Sequence, residues 1–219
     1  MTKFTLSAAA IAAGLIAAPA FANTMATAST DLNIRSGPGP WYDVVGVISS
    51  DAEVDVAGCL EAENWCKVVY DGTEGWSYGS YLTATMDETV YALTAPEFRQ
   101  AETTTTVTYE DTSDTSATAG AGFGTVVGAL VGGPVGAAVG ATVGATTMAI
   151  ADPGPQVVTY VTENPVDPVY LDGEVVVGAG IPAEVELVAV PEAEFSYVNV
   201  NGLPVIVETE QRTIVQVVR

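Results

Sequence analysis

The chain has 219 residues, 6 of them basic and 27 acidic, so its formal net charge is −21. A surface of that charge repels nucleic acids and anionic lipid headgroups and suits cationic partners. The sequence contains no histidine, which excludes serine–histidine and cysteine–histidine catalysis and zinc sites that need histidine.

Residues 1–22 have the pattern of a secretory signal peptide. Lys3 precedes an apolar run over residues 8–18, and Ala20-Phe21-Ala22 provides the small residues of a cleavage site. The apolar run is too short to span a bilayer core of about 30 Å. We therefore expect an exported protein of the periplasm or cell envelope that begins near Asn23.

Residues 23–85 predict a small strand-rich module. Glycine, proline or acidic turns separate five short runs of β-forming residues, at 32–35, 44–48, 54–58, 65–70 and 75–78. About 60 residues is close to the lower limit for an independent core. The module should therefore need a further restraint.

Cys59 and Cys66 are the two cysteines of the chain and lie on either side of a polar turn that indicates a hairpin. In an exported protein two cysteines pair more readily than they bind metal. Facing residues in an antiparallel hairpin lie about 4.5 Å apart at Cα, within reach of a disulfide. We predict a structural disulfide, since the spacing is wider than that of thioredoxin-like redox motifs.

Residues 86–118 are rich in threonine and acidic residues and have few large apolar side chains. Such a composition predicts a solvated, largely disordered linker.

In residues 119–151 a glycine stands at every fourth position, namely Gly120, Gly124, Gly128, Gly132, Gly136, Gly140 and Gly144. This step places the glycines on one face of a helix, where each costs about 1 kcal/mol in water. Close packing of a backbone against that face would offset the cost. Because Gly132-Gly133-Pro134 interrupts the region, we predict two short helices in a hairpin, for membrane association or self-association. One long kinked span over 123–150 and a flexible tether are the alternatives.

Residues 152–219 predict a small β domain. One hairpin is expected over 169–176 around an Asp-Gly turn, and a second over 197–207 around Asn201-Gly202, which favours a type I′ turn. A third strand should follow at 213–218.

The run Leu32-Asn33-Ile34-Arg35-Ser36-Gly37-Pro38-Gly39-Pro40, with Val44-Val45-Gly46 and Gly75-Trp76-Ser77-Tyr78, resembles the bacterial SH3-like (SH3b) domain. The resemblance implies an exported, partly open β-barrel that binds cell-wall glycopeptides or peptides, or that targets a neighbouring enzyme domain. No enzyme domain accompanies it in this sequence.

The tail, from Pro168-Val169-Tyr170 through Val200-Asn201-Gly202-Leu203-Pro204-Val205 to Arg219, resembles domain-of-unknown-function family 1236. That family occurs in alphaproteobacterial envelope proteins and has no established activity. The glycine region is similar to glycine-zipper segments. The expected fold is mainly β, with an N-terminal SH3-like small barrel, a glycine-rich helical hairpin and a small C-terminal β domain.

Aromatic side chains near the turns of the module could line a binding groove, because they combine contact area with a polar handle. The candidates are Trp41, Tyr42, Trp65, Tyr78 and Tyr81, whereas Trp76 is interpreted as a core residue. No catalytic residue is predicted, because Glu61, Glu63 and the pair Asp87-Glu88 fall in solvated turns that would not raise a carboxyl pKa. Phosphate-binding and calcium-binding loops are also missing from the sequence.

The sequence thus predicts a non-enzymatic envelope protein whose SH3-like module binds peptidoglycan or an envelope peptide. The glycine helices would give membrane association or self-association. A structural, oligomer-forming envelope component without a ligand is the second hypothesis, and an accessory of a cell-wall hydrolase is the third. No cofactor, metal or nucleic-acid partner is expected.

Overall fold

The computed structural model describes residues 24–61, 64–101, 106–109 and 152–219. The predicted signal peptide and the predicted glycine helices lie outside these residues. Strands dominate the described parts of the chain, which confirms the expectation of a mainly β protein. Within these parts, neither α-helix is long and apolar enough to cross a membrane.

The N-terminal unit is one antiparallel sheet of eight strands in the order β3-β2-β6-β5-β4-β1-β7-β8. The strands are β1 Thr24–Ala28, β2 Leu32–Arg35, β3 Val44–Ile48, β4 Glu53–Cys59, β5 Trp65–Tyr70, β6 Thr73–Tyr78, β7 Leu82–Met86 and β8 Thr89–Ala92. A 3-10 turn, Gly79–Tyr81, joins β6 to β7, and helix α1, Pro96–Ala101, follows β8. The inner face of the sheet is apolar because β-branched and aliphatic side chains stand at alternate positions along the strands and so point to the same face. Ile34, Val56 and Val68 are among its buried members.

The disordered linker predicted from residue 86 is wrong over 86–101, because β8 and α1 lie there. Leu93 and Phe98 are both buried in the core of the N-terminal unit. Burial of these two side chains supplies the apolar contact that orders the segment. The prediction missed them because it relied on the average composition of the tract, which is dominated by threonine and acidic residues.

The predicted disulfide between Cys59 and Cys66 is confirmed. The two residues are directly opposite in the β4–β5 pairing, with their Cα atoms 3.9 Å apart. The bond therefore joins β4 and β5 next to the loop that connects these two strands.

The C-terminal unit is a five-stranded sheet packed on one helix. It consists of α2 Gly154–Glu163, β9 Pro168–Val169, β10 Val188–Ala189, β11 Phe195–Val200, β12 Leu203–Glu208 and β13 Thr213–Val217. Strands β10 to β13 are antiparallel in sequence order, and β9 pairs with β11 in parallel. The β11–β12 hairpin confirms the predicted Asn-Gly turn, since Asn201 and Gly202 have φ of 54° and 82°. Strand β13 confirms the third predicted strand.

The hairpin predicted over 169–176 is wrong. Strand β9 has two residues, and the chain then continues without regular strand pairing. Leu171, Val175 and Val176 are fully buried, and Glu174 is drawn into an ion pair with the N-terminal unit. Tertiary contacts therefore override the local turn signal of Asp172-Gly173.

The C-terminal sheet is covered on both faces. Along β12, Val205 and Val207 belong to a buried cluster shared with the N-terminal unit, whereas Ile206 belongs to a second cluster with Val161 of α2. Because successive side chains of a strand point to opposite faces, α2 covers one face and the N-terminal unit covers the other. The two units therefore share one continuous hydrophobic core.

Strand β2 is covered on both faces in the same way. Leu32 and Ile34 point into the N-terminal core, and the alternate residues Asn33 and Arg35 are buried as well. These two polar side chains point outward, toward the C-terminal unit, where their hydrogen-bond partners lie.

Candidate ligand-binding site

Residues 37–42, within the loop between β2 and β3, present two aromatic side chains, and we call this segment the aromatic loop. Trp41 is 42% exposed, and the half-buried ring of Tyr42 lies 6.0 Å from it between centroids. A Cβ at Gly37 would lie 2.5 Å from the Tyr42 ring, and one at Gly39 would lie 2.8 Å from the Trp41 ring. The two glycines therefore allow both rings to fold back over the loop.

Arg35 fixes the backbone of the aromatic loop. Its Nη1 donates hydrogen bonds to the carbonyl oxygens of Pro40 at 3.0 Å and Tyr42 at 2.7 Å. The other side of the guanidinium faces Glu174, whose carboxylate accepts from Nε at 2.5 Å and from Nη2 at 2.6 Å. One arginine thus connects the aromatic loop to the C-terminal unit.

Glu174 is fully buried, and its carboxylate is saturated with donors. Besides Arg35, its Oε1 accepts from Asn33 Nδ2 at 3.1 Å and from the backbone N–H of Val175 at 2.8 Å. At the end of the chain, Arg219 donates from Nε and Nη2 to Asn33 Oδ1, each at 3.3 Å. A buried ion pair is tolerated when further hydrogen bonds satisfy both partners, as they do here.

Asn201 fixes the segment that carries Glu174. Its side chain accepts from the N–H of Leu171 at 2.8 Å and donates to the carbonyls of Leu171 at 3.1 Å and Gly173 at 3.2 Å. The carbonyl of Asn201 also accepts from Arg35 Nη1 at 3.4 Å. The tip of the β11–β12 hairpin is therefore part of the contact between the units.

The outer face of β6 lies beside the aromatic loop. Gly75 faces the core, because a Cβ there would lie 2.5 Å from Ile34 Cγ2, and the next side chain, Trp76, therefore points outward. Trp76 is nevertheless only 5% exposed. The ring of Tyr109 stands edge-on to Trp76 at 5.5 Å and to Tyr42 at 6.2 Å. Trp76 is buried, as predicted, but on the outer face and not in the sheet core.

Trp65, Tyr78 and Tyr81 form a second aromatic cluster. The Trp65 and Tyr78 rings are 5.4 Å apart and edge-on, and those of Tyr78 and Tyr81 are 5.9 Å apart. Trp65 is 3% exposed and Tyr81 is 6% exposed, whereas Tyr78 is half-buried and its hydroxyl accepts from Asn64 Nδ2. Their role in ligand binding stays a prediction. Trp41 is the most exposed of the five candidates, whereas Tyr42 and Tyr78 are both half-buried.

The stability of the protein should fall in alkali because of Tyr81. Burial raises the pKa of its phenol to about 12, and Tyr78 and the Glu174 carboxylate add to the effect. The folded state then retains a proton that the unfolded state loses near pH 10, so stability is complete below about pH 10 and is lost toward pH 12. We expect the free energy of unfolding to fall by about 1.4 kcal/mol per pH unit above pH 10 from this group. Urea denaturation at pH 8 to 11 measures it.

Tyr81→Phe is the matched variant for this measurement. It should remove the additional alkaline slope while it shifts the curve at pH 8 by a constant amount. Parallel curves for the parent and Tyr81→Phe at all pH values would contradict the prediction.

Acidic residues form no metal site in the described parts of the chain, where no group of three or more potential metal-ligating histidine, cysteine, aspartate or glutamate side chains occurs. The buried carboxylate of Glu174 faces Arg35 and Asn33 within the contact between the units. Its geometry is that of a structural ion pair.

Comparison with known proteins agrees with this architecture. The family model described as Bacterial SH3 domain matches residues 30–83. The chain carries a bacterial SH3 domain. The family model described as Domain of unknown function (DUF1236) matches residues 160–219, so the C-terminal domain is of that family. The resemblances of the module to the SH3b domain and of the tail to family 1236 are confirmed, whereas the similarity of residues 119–151 to glycine-zipper segments stays a prediction.

A curated relative is the protein YrvJ of Bacillus subtilis (strain 168), named provisionally as an N-acetylmuramoyl-L-alanine amidase. It is 31% identical over 62 residues, which cover 28% of this chain and 12% of the relative. The chain therefore spans about an eighth of the length of that relative. Bacterial SH3 domains are typically binding modules, and a disulfide is typical of extracytoplasmic proteins.

Sequence reasoning missed four residues around the site. Arg35 and Asn33 lie inside the motif that resembles the SH3b domain, and polar residues that alternate with Leu32 and Ile34 are the pattern of a strand with one solvent-facing side. Glu174 and Tyr109 carried no signal in the sequence, because each acquires its role from a partner far away in the chain.

The unbroken run Val205-Ile206-Val207 could have indicated a strand buried on both faces.

Proposed function

We propose that the bacterial SH3 domain is the recognition module of an exported envelope protein and binds peptidoglycan or an envelope peptide. The contact surface is the aromatic loop, with Trp41 and Tyr42 as the residues that touch the ligand. The observation that carries the proposal is the 42% exposure of Trp41 on a loop fixed by Arg35. A rigid loop lowers the entropic cost of binding, because the ring is already held in place.

The comparisons support the same ligand class. A bacterial SH3 domain covers the aromatic loop, and the relative that shares part of this sequence is named for a reaction on a cell-wall component. The disulfide supports export, because such bonds persist in oxidising compartments.

Trp41→Ala and Tyr42→Ala should each weaken the retention of the full-length protein on insoluble peptidoglycan. Loss of an exposed aromatic anchor typically costs at least about 1 kcal/mol when it is a hot spot, or about fivefold in affinity. A co-sedimentation isotherm measures the effect, and a thermal unfolding curve of each variant shows that the fold is retained. Trp41→Ala in particular should unfold at the temperature of the parent.

Val90→Ala is the matched control, because Val90 is an exposed apolar side chain on β8, at the far end of the sheet order from β2 and β3. It should bind like the parent. A parent protein that is retained on neither peptidoglycan nor an immobilised envelope fraction would refute the recognition role.

We propose that the glycine segment, residues 119–151, gives membrane association or self-association, because its glycines have a four-residue spacing. In the absence of a wall or peptide ligand, a structural component held together by that segment would be the remaining function.

A further inference from the structure

The outer face of the bacterial SH3 domain holds a segment of the same chain, residues 106–109. Along Thr106-Val107-Thr108-Tyr109 the exposure alternates: both threonines are exposed, whereas Val107 and Tyr109 are half-buried. A period of two is that of an extended peptide with one side against a protein surface. The segment therefore lies on the domain as an extended ligand would.

Two kinds of contact hold the segment. At its start, Thr106 forms a parallel bridge with Cys59, and the N–H of Val107 donates to the Cys59 carbonyl at 3.2 Å. At its end, the Tyr109 ring stands edge-on to Trp76, at an interplanar angle of 86°, and to Tyr42, at 80°. Main-chain pairing combined with contacts for alternate side chains is the mode of peptide recognition by strand addition.

The disulfide and the aromatic loop give this surface a fixed shape. Cys59 is tied to Cys66, and the carbonyl of Tyr42 is held by Arg35. The disulfide thus fixes Cys59, whose carbonyl accepts from the main chain of the segment. The hydrogen bond from Arg35 fixes Tyr42, one of the two rings that Tyr109 contacts. Pre-organisation of this kind favours binding of a flexible segment.

We propose that the surface formed by Cys59, Trp76 and Tyr42 is a docking site for an extended peptide that carries an apolar residue and, two positions later, an aromatic residue. Residues 106–109 occupy the site in cis and compete with an external peptide. The inference rests on the proposed function and narrows its ligand to a peptide. A peptide is favoured over a glycan because the occupant of the site is itself a peptide held by main-chain pairing.

A tethered occupant competes strongly even when its contacts are few, because a short connection gives it an effective concentration in the millimolar range. Removal of the Tyr109 ring should therefore open the site without any change in the SH3 domain itself. External binding should rise as a result.

The test uses the full-length protein and a fluorescein-labelled peptide with the sequence of residues 103–111. By fluorescence anisotropy, the peptide should bind Tyr109→Ala about tenfold more tightly than it binds the parent. Thr108→Ala, which alters the exposed neighbour, should bind it like the parent. The same peptide with alanine in place of its tyrosine should lose most of its affinity for Tyr109→Ala. Equal affinities for the parent and Tyr109→Ala, or no binding to either, would overturn the inference.

Acrylamide quenching of tryptophan fluorescence provides a readout without a ligand. Tyr109→Ala should increase quenching relative to both the parent and Thr108→Ala, because Tyr109 covers Trp76. Tyr109→Leu keeps an apolar side chain at this position and serves as the second variant, with an intermediate increase expected. Unchanged quenching in both variants would show that the segment does not occupy the site.

A parallel retention assay on insoluble peptidoglycan separates this inference from the proposed function. Tighter peptide binding by Tyr109→Ala without retention of any variant on peptidoglycan supports the peptide ligand and refutes a wall ligand. Retention of the parent and Tyr109→Ala to the same extent, with no peptide binding, refutes the inference and leaves the recognition role intact. Retention that rises about tenfold in Tyr109→Ala without peptide binding identifies a glycan ligand and refutes the peptide.

Discussion

Replacing Glu174 by alanine is expected to lower the free energy of unfolding by about 3–5 kcal/mol, the cost of removing one partner from a buried ion pair. The variant leaves the Arg35 guanidinium, 1% exposed in the parent, without its carboxylate. Asn33 loses a hydrogen-bond acceptor at the same time. Urea denaturation followed by circular dichroism measures the change.

Asp172→Ala is the control, because Asp172 is exposed and lies in the same irregular segment. It should change stability by no more than about 0.5 kcal/mol. A double variant, Arg35→Met with Glu174→Leu, should recover part of the loss, since apolar residues often replace a buried ion pair at no net cost. The recovery stays partial because the carbonyls of Pro40 and Tyr42 lose their donor. Equal denaturation midpoints for Glu174→Ala and Asp172→Ala would show that the ion pair contributes nothing to the contact between the units.

The pair has a consequence for the candidate site as well. Arg35 connects Glu174 to the carbonyls of Pro40 and Tyr42, so the C-terminal domain holds the aromatic loop through one side chain. This gives the C-terminal domain of unknown function a physical role within the protein, which is to cover the outer side of β2 and to position Arg35. Glu174 and Arg35 are positioning residues in this sense.

Gly75→Ala should destabilise the protein by about 3 kcal/mol, at the upper end of the usual cost of overpacking a core. A Cβ at Gly75 would lie 2.5 Å from Ile34 Cγ2 and 2.6 Å from the backbone oxygen of Arg35. The side chain of Ile34 could adjust, but the carbonyl belongs to β2 and would move Arg35 with it. Thermal and urea unfolding of the full-length variant measure the effect.

Gly46→Ala is the matched control for this substitution. Gly46 lies on β3, which pairs with the other edge of β2, and a Cβ there would lie 3.2 Å from a methyl group of Thr73 and 3.4 Å from Ile34 Cδ1. Both contacts are with side-chain ends that can give way, so the cost should stay below about 1 kcal/mol. If Gly75→Ala were as stable as Gly46→Ala, the close approach of β6 to β2 would not require a glycine.

Local chemistry was sufficient to predict several elements. Strands β2, β3 and β5 have the predicted bounds, because alternating valines between glycine, proline and acidic turns leave few other pairings. The Asn201-Gly202 hairpin follows from the preference of these residues for positive φ. The disulfide followed from two cysteines in a predicted hairpin of a protein that was expected to be exported.

Elements that depend on distant partners were not predictable in the same way. The segment 86–101 is polar on average, yet two side chains, Leu93 and Phe98, are enough to order it against the sheet. The segment after β9 contains the turn signal Asp172-Gly173. Its conformation is determined instead by the burial of its aliphatic residues and by the ion pair of Glu174. Of the candidate site, the sequence supplied the aromatics, whereas their exposure depended on which outer surfaces the rest of the chain covers.

By itself the sequence determined the class of the protein: a mainly β chain with a bacterial SH3 domain and a disulfide, because strand pattern, turn residues and cysteine spacing act over a few residues. Only the tertiary structure decided that the two domains share one core and that Arg35 joins Glu174 to the aromatic loop. It also decided that Tyr109 covers Trp76. The physical reason is that the shared core, the Arg35–Glu174 pair and the Tyr109–Trp76 contact join residues tens to more than a hundred positions apart, and no local preference of either partner specifies the other.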